Sequence, residues 1–126
     1  MEAKDLMIGD WVLYKDKSIM VWEIDAYYDR INTEPDGYNA IRCIDVLDIK
    51  PIPLTPEILE KNGFELQRDK SELGKLDTYW LGSELGAFRI HRLNNGDYQF
   101  GLAKIRNVHE LQHALRLCGI DKEIEI

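Results

Sequence analysis

Near the C-terminal end of the chain, three residues stand at a spacing that could do chemistry. His109–His113 reads HELQH, a match to H-E-x-x-H. In that motif two imidazoles one helical turn apart bind zinc, and the glutamate polarises the attacking water. Catalytic zinc also needs a third protein ligand and an open coordination position. Only 13 residues follow His113, and they hold no G-x-x-H extension. Glu123, Glu125 or His91 would have to complete the set.

The helix that must carry the pair argues for another use of these residues. The pattern predicts a helix over 108–118, with Asn107 as its cap, Gly119 as its left-handed stop and Ile120 returning onto Leu115. Steps of about 100° per residue gather Leu111, Leu115 and Cys118 into one stripe, flanked by Val108 and Ala114. His109, His113 and Arg116 then fall opposite that stripe, on a solvated face where a guanidinium repels a metal cation. Glu110 becomes the third helical residue after Asn107, and N-x-x-E resembles a capping box. The expectation is therefore that His109, Glu110 and His113 form a decoy, with no metal, no cofactor and no catalytic residue. A zinc-dependent hydrolase is the distant alternative.

A second group of chemical residues is cationic. Arg89, His91, Arg92, Lys104 and Arg106 make the stretch 87–106 locally positive in an acidic chain. Five such side chains could dock an acidic protein surface, or grip the oxygens of an anionic nucleotide or metabolite. They could equally be ordinary solvated strand faces. No glycine-rich phosphate loop, nucleophile elbow or Cys-x-x-Cys pair accompanies them. Cys43 and Cys118 read as two reduced core residues, and Trp11, Trp22 and Trp80 as packing groups.

The cationic stretch sits on the best hairpin in the sequence, 87–102. Ala87–Leu93 and Asp97–Leu102 alternate, and Asn94-Asn95-Gly96 supplies the turn. The alternation puts Phe88, Ile90, Tyr98, Phe100 and Leu102 on one face, with Arg89, His91 and Gln99 on the other.

Upstream, the stretch Pro51–Phe64, PIPLTPEILEKNGF, divides the chain. It encodes a helix over 56–62: Thr55 as N-cap, Pro56 at the first helical position, Glu57 at the positive end of the dipole and Gly63 as the left-handed terminator. Leu54 and Leu59 suit a hydrophobic staple. Before it lies an acidic, strand-rich half. Gly9-Asp10 turns into a first strand ending at Tyr14, and Lys15–Ser18 turns into Ile19–Ala26, with Met20, Trp22 and Ile24 facing one way. Asn32–Gly37 is a loop, Tyr38–Ile44 a third strand, and Val46–Ile49 a short fourth. After the helix, Glu65–Lys75 is an irregular or hairpin-like connection, Leu76–Leu81 a strand and Gly82–Gly86 a turn. Glu123–Ile126, EIEI, alternates as an edge strand and could pair with a second copy.

These elements predict an α+β protein: an N-terminal SH3-like small β-barrel over 1–50, then an α+β lobe over 51–126 with a helix, antiparallel strands and a C-terminal helix. At 126 residues the two are small enough to form one compact unit. A net charge of −7 repels a phosphate backbone and argues against bulk nucleic-acid binding. No apolar run suits a signal peptide or a membrane span, so the expected compartment is the cytoplasm.

Three ordered stretches, LMIGDWV at Leu6–Val12, PIPLTPEILEKNGF at Pro51–Phe64 and VHELQ at Val108–Gln112, resemble a family of small uncharacterised proteins of gut bacteria and their phages and mobile elements. Its pattern looks like L-x-I-G-N-x-V, then P-I-P-L-T-E-E-I-L-x-K-N-G-F, then V-H-Q-L-Q-N. The resemblance transfers no catalytic residues. It places Gln and Asn where this chain has Glu110 and His113, which weakens the zinc reading. The resemblance implies a binding role without specifying the ligand; with no phosphate-cradling loop beside the basic residues, the leading expectation is a non-catalytic interaction protein, an accessory factor of a phage or mobile element with a protein partner. The rival is a sequestering protein for an anionic nucleotide or metabolite.

Overall fold

The computed structural model describes residues 1–33, 43–68, 77–82 and 88–126. The chain is α+β and mostly strand, with two antiparallel five-stranded sheets and two α-helices. It forms two units: Met1–Pro53 with Asn107–His109, and Leu54–Arg106 with Glu110–Ile126. No helix among the described residues is long and apolar enough to cross a membrane.

The first unit holds β1 (Trp11–Tyr14), β2 (Lys17–Asp25), β3 (Arg30–Thr33), β4 (Ile44–Asp45) and β5 (Ile49–Pro51), in the order β4-β3-β2-β1-β5. Lys15 and Asp16 both take positive φ, 48° and 63°, the geometry of a two-residue turn matched to strand twist. Gly9, at φ 93°, opens β1, while the buried Asp10 carboxylate accepts from the backbone N–H of Met7 at 2.8 Å.

β2 pairs with β1 along its first half and with β3 along its second, and the register slips between Val21 and Glu23. This bulge corrects the expected faces. Ile19 and Val21 are buried, Trp22 is 42% exposed, and Ile24 returns to the apolar side. An inserted residue reverses the parity of everything after it. Around these residues Ala3, Leu6, Val12, Ile31, Ile44, Val46 and Ile49 complete the core.

Three further expectations change here. A strand that was not expected lies at Arg30–Thr33; of the strand predicted over 38–44, residues 38–42 fall outside the described residues and Ile44 begins β4. Val46–Asp48 is a 3-10 turn and not a strand, because the Asp45 side chain caps Leu47 N–H at 2.9 Å. Cys43 is exposed in a left-handed conformation, φ 58°, with its N–H held by Asn32 Oδ1 at 2.7 Å. Each described strand pairs with its neighbours in a row, and no described pairing closes that row into a ring.

The second unit begins with α1 (Pro56–Lys61). Thr55 Oγ1 accepts from Ile58 N–H at 3.3 Å, and Pro56 takes the first helical position. Gly63 at φ 84° lets the N–H of Phe64 reach Leu59 carbonyl at 3.0 Å, closing the helix in the Schellman manner. The sheet is β10-β9-β8-β7-β6, made of β6 (Glu65–Arg68), β7 (Asp77–Leu81), β8 (Phe88–Arg92), β9 (Tyr98–Phe100) and β10 (Ala103–Ile105). Glu65–Arg68 is thus a strand paired with β7, and the connection across 69–76 lies outside the described residues, as do 83–87.

Alternation holds without a slip in β7 and β8. Tyr79, Phe88, Ile90 and Tyr98 are buried; Arg89 and His91 are exposed. Leu102 departs from the expectation and is fully exposed, because the strand stops at Phe100 and Gly101-Leu102 turns the chain into β10.

The last helix, α2, spans Val108–Leu117 and ends as predicted at Gly119 (φ 72°), with Ile120 N–H on Leu115 carbonyl at 2.9 Å. Leu111 and Leu115 are buried, but Cys118 is exposed, since it lies past the last helical turn. The terminal EIEI is not a strand. The Asn62 amide donates to Glu125 carbonyl at 2.8 Å and accepts Glu125 N–H at 2.7 Å, as a neighbouring strand would. Lys61 Nζ holds Ile126 carbonyl at 2.7 Å, and Ile124 is buried.

Candidate functional site

The H-E-x-x-H residues lie on α2 but not as the helical wheel predicts. His109 is buried, 6% exposed, and His113 is half-buried. Burial along α2 extends over Val108, His109, Leu111, Gln112, Ala114 and Leu115, an arc far wider than the three-residue stripe. The apolar stripe was legible. Of the three residues expected on the solvated face, Arg116 is exposed, whereas His109 is buried and His113 half-buried, because a wheel reads polarity and not what packs against the helix.

Glu110 reaches backwards, as a helix-start carboxylate should, and Oε1 accepts from Arg106 N–H at 3.3 Å. The partner lies one residue ahead of the expected Asn107. Among the described residues no three His, Cys, Asp or Glu side chains group closely enough to hold a metal ion.

The five cationic candidates separate. The register runs Thr78 opposite His91, His91 opposite Gln99 and Gln99 opposite Lys104, so these four form one row across β7, β8, β9 and β10. Thr78 Oγ1 and His91 Nδ1 are 2.9 Å apart. One position along, Arg89 stands opposite Trp80, with its guanidinium 4.8 Å from the indole centroid. Arg89, His91 and Lys104 therefore share the solvent face of this sheet, built around an aromatic ring.

Arg92 falls on the other face. It stands opposite Asp77 and Tyr98, and lines a polar pocket of about 480 Å³ with Asp77, Leu93 and the turn Asn94-Asn95-Gly96. Arg106 is bound to Asp97, Nε to Oδ2 at 3.1 Å.

Behind Arg92 lies a pair of buried phenols. Tyr79 and Tyr98 meet edge to face, with centroids 5.9 Å apart. Burial pushes the Tyr98 hydroxyl up to about 12, helped by Tyr79, and burial likewise raises Tyr79. Neither phenol is poised to ionise near neutral pH.

No family model, curated protein or solved structure matches the chain. Trp80 and Thr78 are the residues sequence reasoning missed as members of this face. Their signal was present in two strands placed symmetrically around 82–87, whose pairing sets Trp80 against Arg89.

Proposed function

We propose that this chain is a non-catalytic protein-interaction module that docks a protein partner on the solvent face of its second sheet. One observation carries the reading: Arg89, His91 and Lys104 are spread along one sheet face and do not converge on a pocket. A flat row of Thr78, His91, Gln99 and Lys104 beside the Trp80–Arg89 stack offers hydrogen-bonding groups, charge and an aromatic anchor, the ingredients of a protein interface.

The rival, a sequestering site for an anionic nucleotide or metabolite, finds less support. The pocket at Arg92 also has Asp77, its cross-strand partner, on its wall, so an anion there would meet a carboxylate, and Arg106 already has Asp97. The three-motif resemblance supports assignment as an accessory protein of a phage or mobile element. We also read the first sheet as an opened SH3-like barrel. Its long β2, bulged at the middle and shared by β1 and β3, supports that curvature.

Two measurements on the purified protein test the binding reading. A partner captured from bacterial lysate should be identified, purified and titrated, and Arg89→Glu should weaken it at least about ten-fold, or about 1.4 kcal/mol. A nucleotide panel should leave the melting temperature unmoved. A nucleotide that raises it, with the effect lost in Arg92→Ala, would establish the sequestering function instead.

A further inference from the structure

The first unit carries a second surface of opposite character. A groove of about 580 Å³ is lined by Met1 to Lys4, by Ala26, Tyr28 and Asp29 at the β2–β3 turn, and by Asp45, Val46 and Leu47 at the 3-10 turn. Tyr28 is 62% exposed and Leu47 79%, two large apolar side chains on the walls of the same groove. The charged groups on its walls are the carboxylates of Glu2, Asp29 and Asp45, the α-ammonium of Met1 and the ammonium of Lys4. The Lys4 ammonium is already 3.1 Å from Glu2, which raises its pKa through the hydrogen bond and the charge. The surrounding chain has the same sign: residues 1–53 hold 11 acidic and six basic side chains.

The walls are held in place before anything binds. Asp25 Oδ1 accepts from both Tyr27 and Tyr28 N–H, at 3.1 and 3.2 Å. Val46 N–H donates to Asp29 carbonyl at 3.0 Å, tying the two turns together, and Asp45 fixes Leu47. Tyr27 packs edge-on against Tyr28, and the Arg30 guanidinium lies 5.6 Å from the Tyr28 centroid. This ring thus already accepts a cation on its face. A preformed groove spends less of its binding energy on ordering loops.

We propose that this groove docks a short cationic and apolar segment of a protein, with a basic side chain beside Tyr28 and the Asp29 and Asp45 carboxylates and an apolar one against Leu47. The charge decides between occupants. An anionic lipid surface, a nucleic acid or a nucleotide would meet carboxylates, whereas an arginine- or lysine-bearing segment meets both its counter-charge and an aromatic face. This surface belongs to the first unit and takes a partner of opposite charge to the one proposed for the second-sheet face.

The test uses the full chain and a dye-labelled peptide alternating arginine and leucine, read by fluorescence anisotropy. Its glutamate-leucine counterpart and spermine are the comparison probes. Asp29→Asn removes charge while keeping a residue that tolerates its left-handed φ of 52°. Leu47→Ser changes only an exposed side chain, and unchanged melting temperatures verify that both variants fold. The expected result is binding of the cationic peptide alone, weakened about five-fold or more by each variant and by added salt. Failure of that peptide to bind, binding of the acidic one, or affinity unmoved by both variants would overturn the proposal. Spermine displacing the peptide at equal charge concentration would assign the groove to small polycations and overturn it too.

Discussion

The two sheets have the same number of strands and the same antiparallel pairing, yet they translate sequence into surface by different rules. In the second, β7 and β8 pair residue for residue, so alternation alone sorts Phe88 and Ile90 inward and Arg89 and His91 outward. In the first, one extra residue in β2 reverses the sorting, and Trp22 goes to solvent where uninterrupted alternation would face it with Ile24. A periodic signal is only as good as the register that carries it.

The sharpest way to break that comparison is a pair of substitutions on adjacent residues. Val21→Asp would bury a carboxylate at a fully enclosed position and should cost at least about 4 kcal/mol, enough to unfold the first unit. Trp22→Asp, one residue on, should stay within about 1 kcal/mol. Urea denaturation of both variants checks it, and the reverse order would mean that the bulge is misplaced.

The same contrast explains what was legible. Elements defined by local chemistry were readable to within a residue or two: the Thr55-Pro56 start and Gly63 end of α1, the Gly119 end of α2, and the hairpin turn at 94–96. Elements defined by partners were not. β10 has only three residues and exists because β9 offers it an edge. Arg30–Thr33 lies too close to a loop signal to be separated from it by composition. Asn62 looks like an ordinary helix end, and nothing local says that its amide will stand in for a strand against Glu125. For the candidate site, the face of Arg89 and His91 was legible from alternation. The separation of Arg92 and Arg106 from it required knowing where Asp77 and Asp97 sit.

Alkaline pH sharpens the comparison next, because the second sheet alone carries the Tyr79–Tyr98 pair. Unfolded tyrosine ionises near 10, while folded Tyr98 holds its proton to about 12. The unfolded state therefore loses the proton first. The stability linked to this group is fully present below pH 10 and is lost as pH rises from about 10 to 12, by up to about 3 kcal/mol. Melting scans should show that decline, and Tyr98→Phe should reduce it. A decline of equal steepness in the variant would place the titration elsewhere.

Asn62→Ala probes the one site where a side chain substitutes for a strand. Three hydrogen bonds go with the amide, to Ile58 carbonyl and to both backbone groups of Glu125. Partial rescue by water leaves an expected cost of about 2 kcal/mol. The amide of Glu125 should lose its protection from hydrogen exchange in this variant, well before the amides of α1. If protection persists, the terminal segment is held by burial of Ile124 and not by the clamp.

The smallest expected difference lies between the two arginine–aromatic contacts among the described residues, one in each unit. Arg89 lies 4.8 Å from the Trp80 centroid, while Arg30 lies 5.6 Å from that of Tyr28. Indole has the stronger π face, the second-sheet contact is closer, and Trp80 and Arg89 are directly opposed by strand register. Tyr28 sits in an exposed turn where water competes for the guanidinium. Double-mutant cycles with Arg89→Ala and Trp80→Leu should therefore give a coupling of about 1 kcal/mol, against roughly 0.3 kcal/mol for Arg30→Ala with Tyr28→Leu. A coupling in the first sheet that equals or exceeds the second would mean that Tyr28 holds its arginine firmly. The ring would then be less open to a cation from a partner, and the two faces less distinct than their charges suggest.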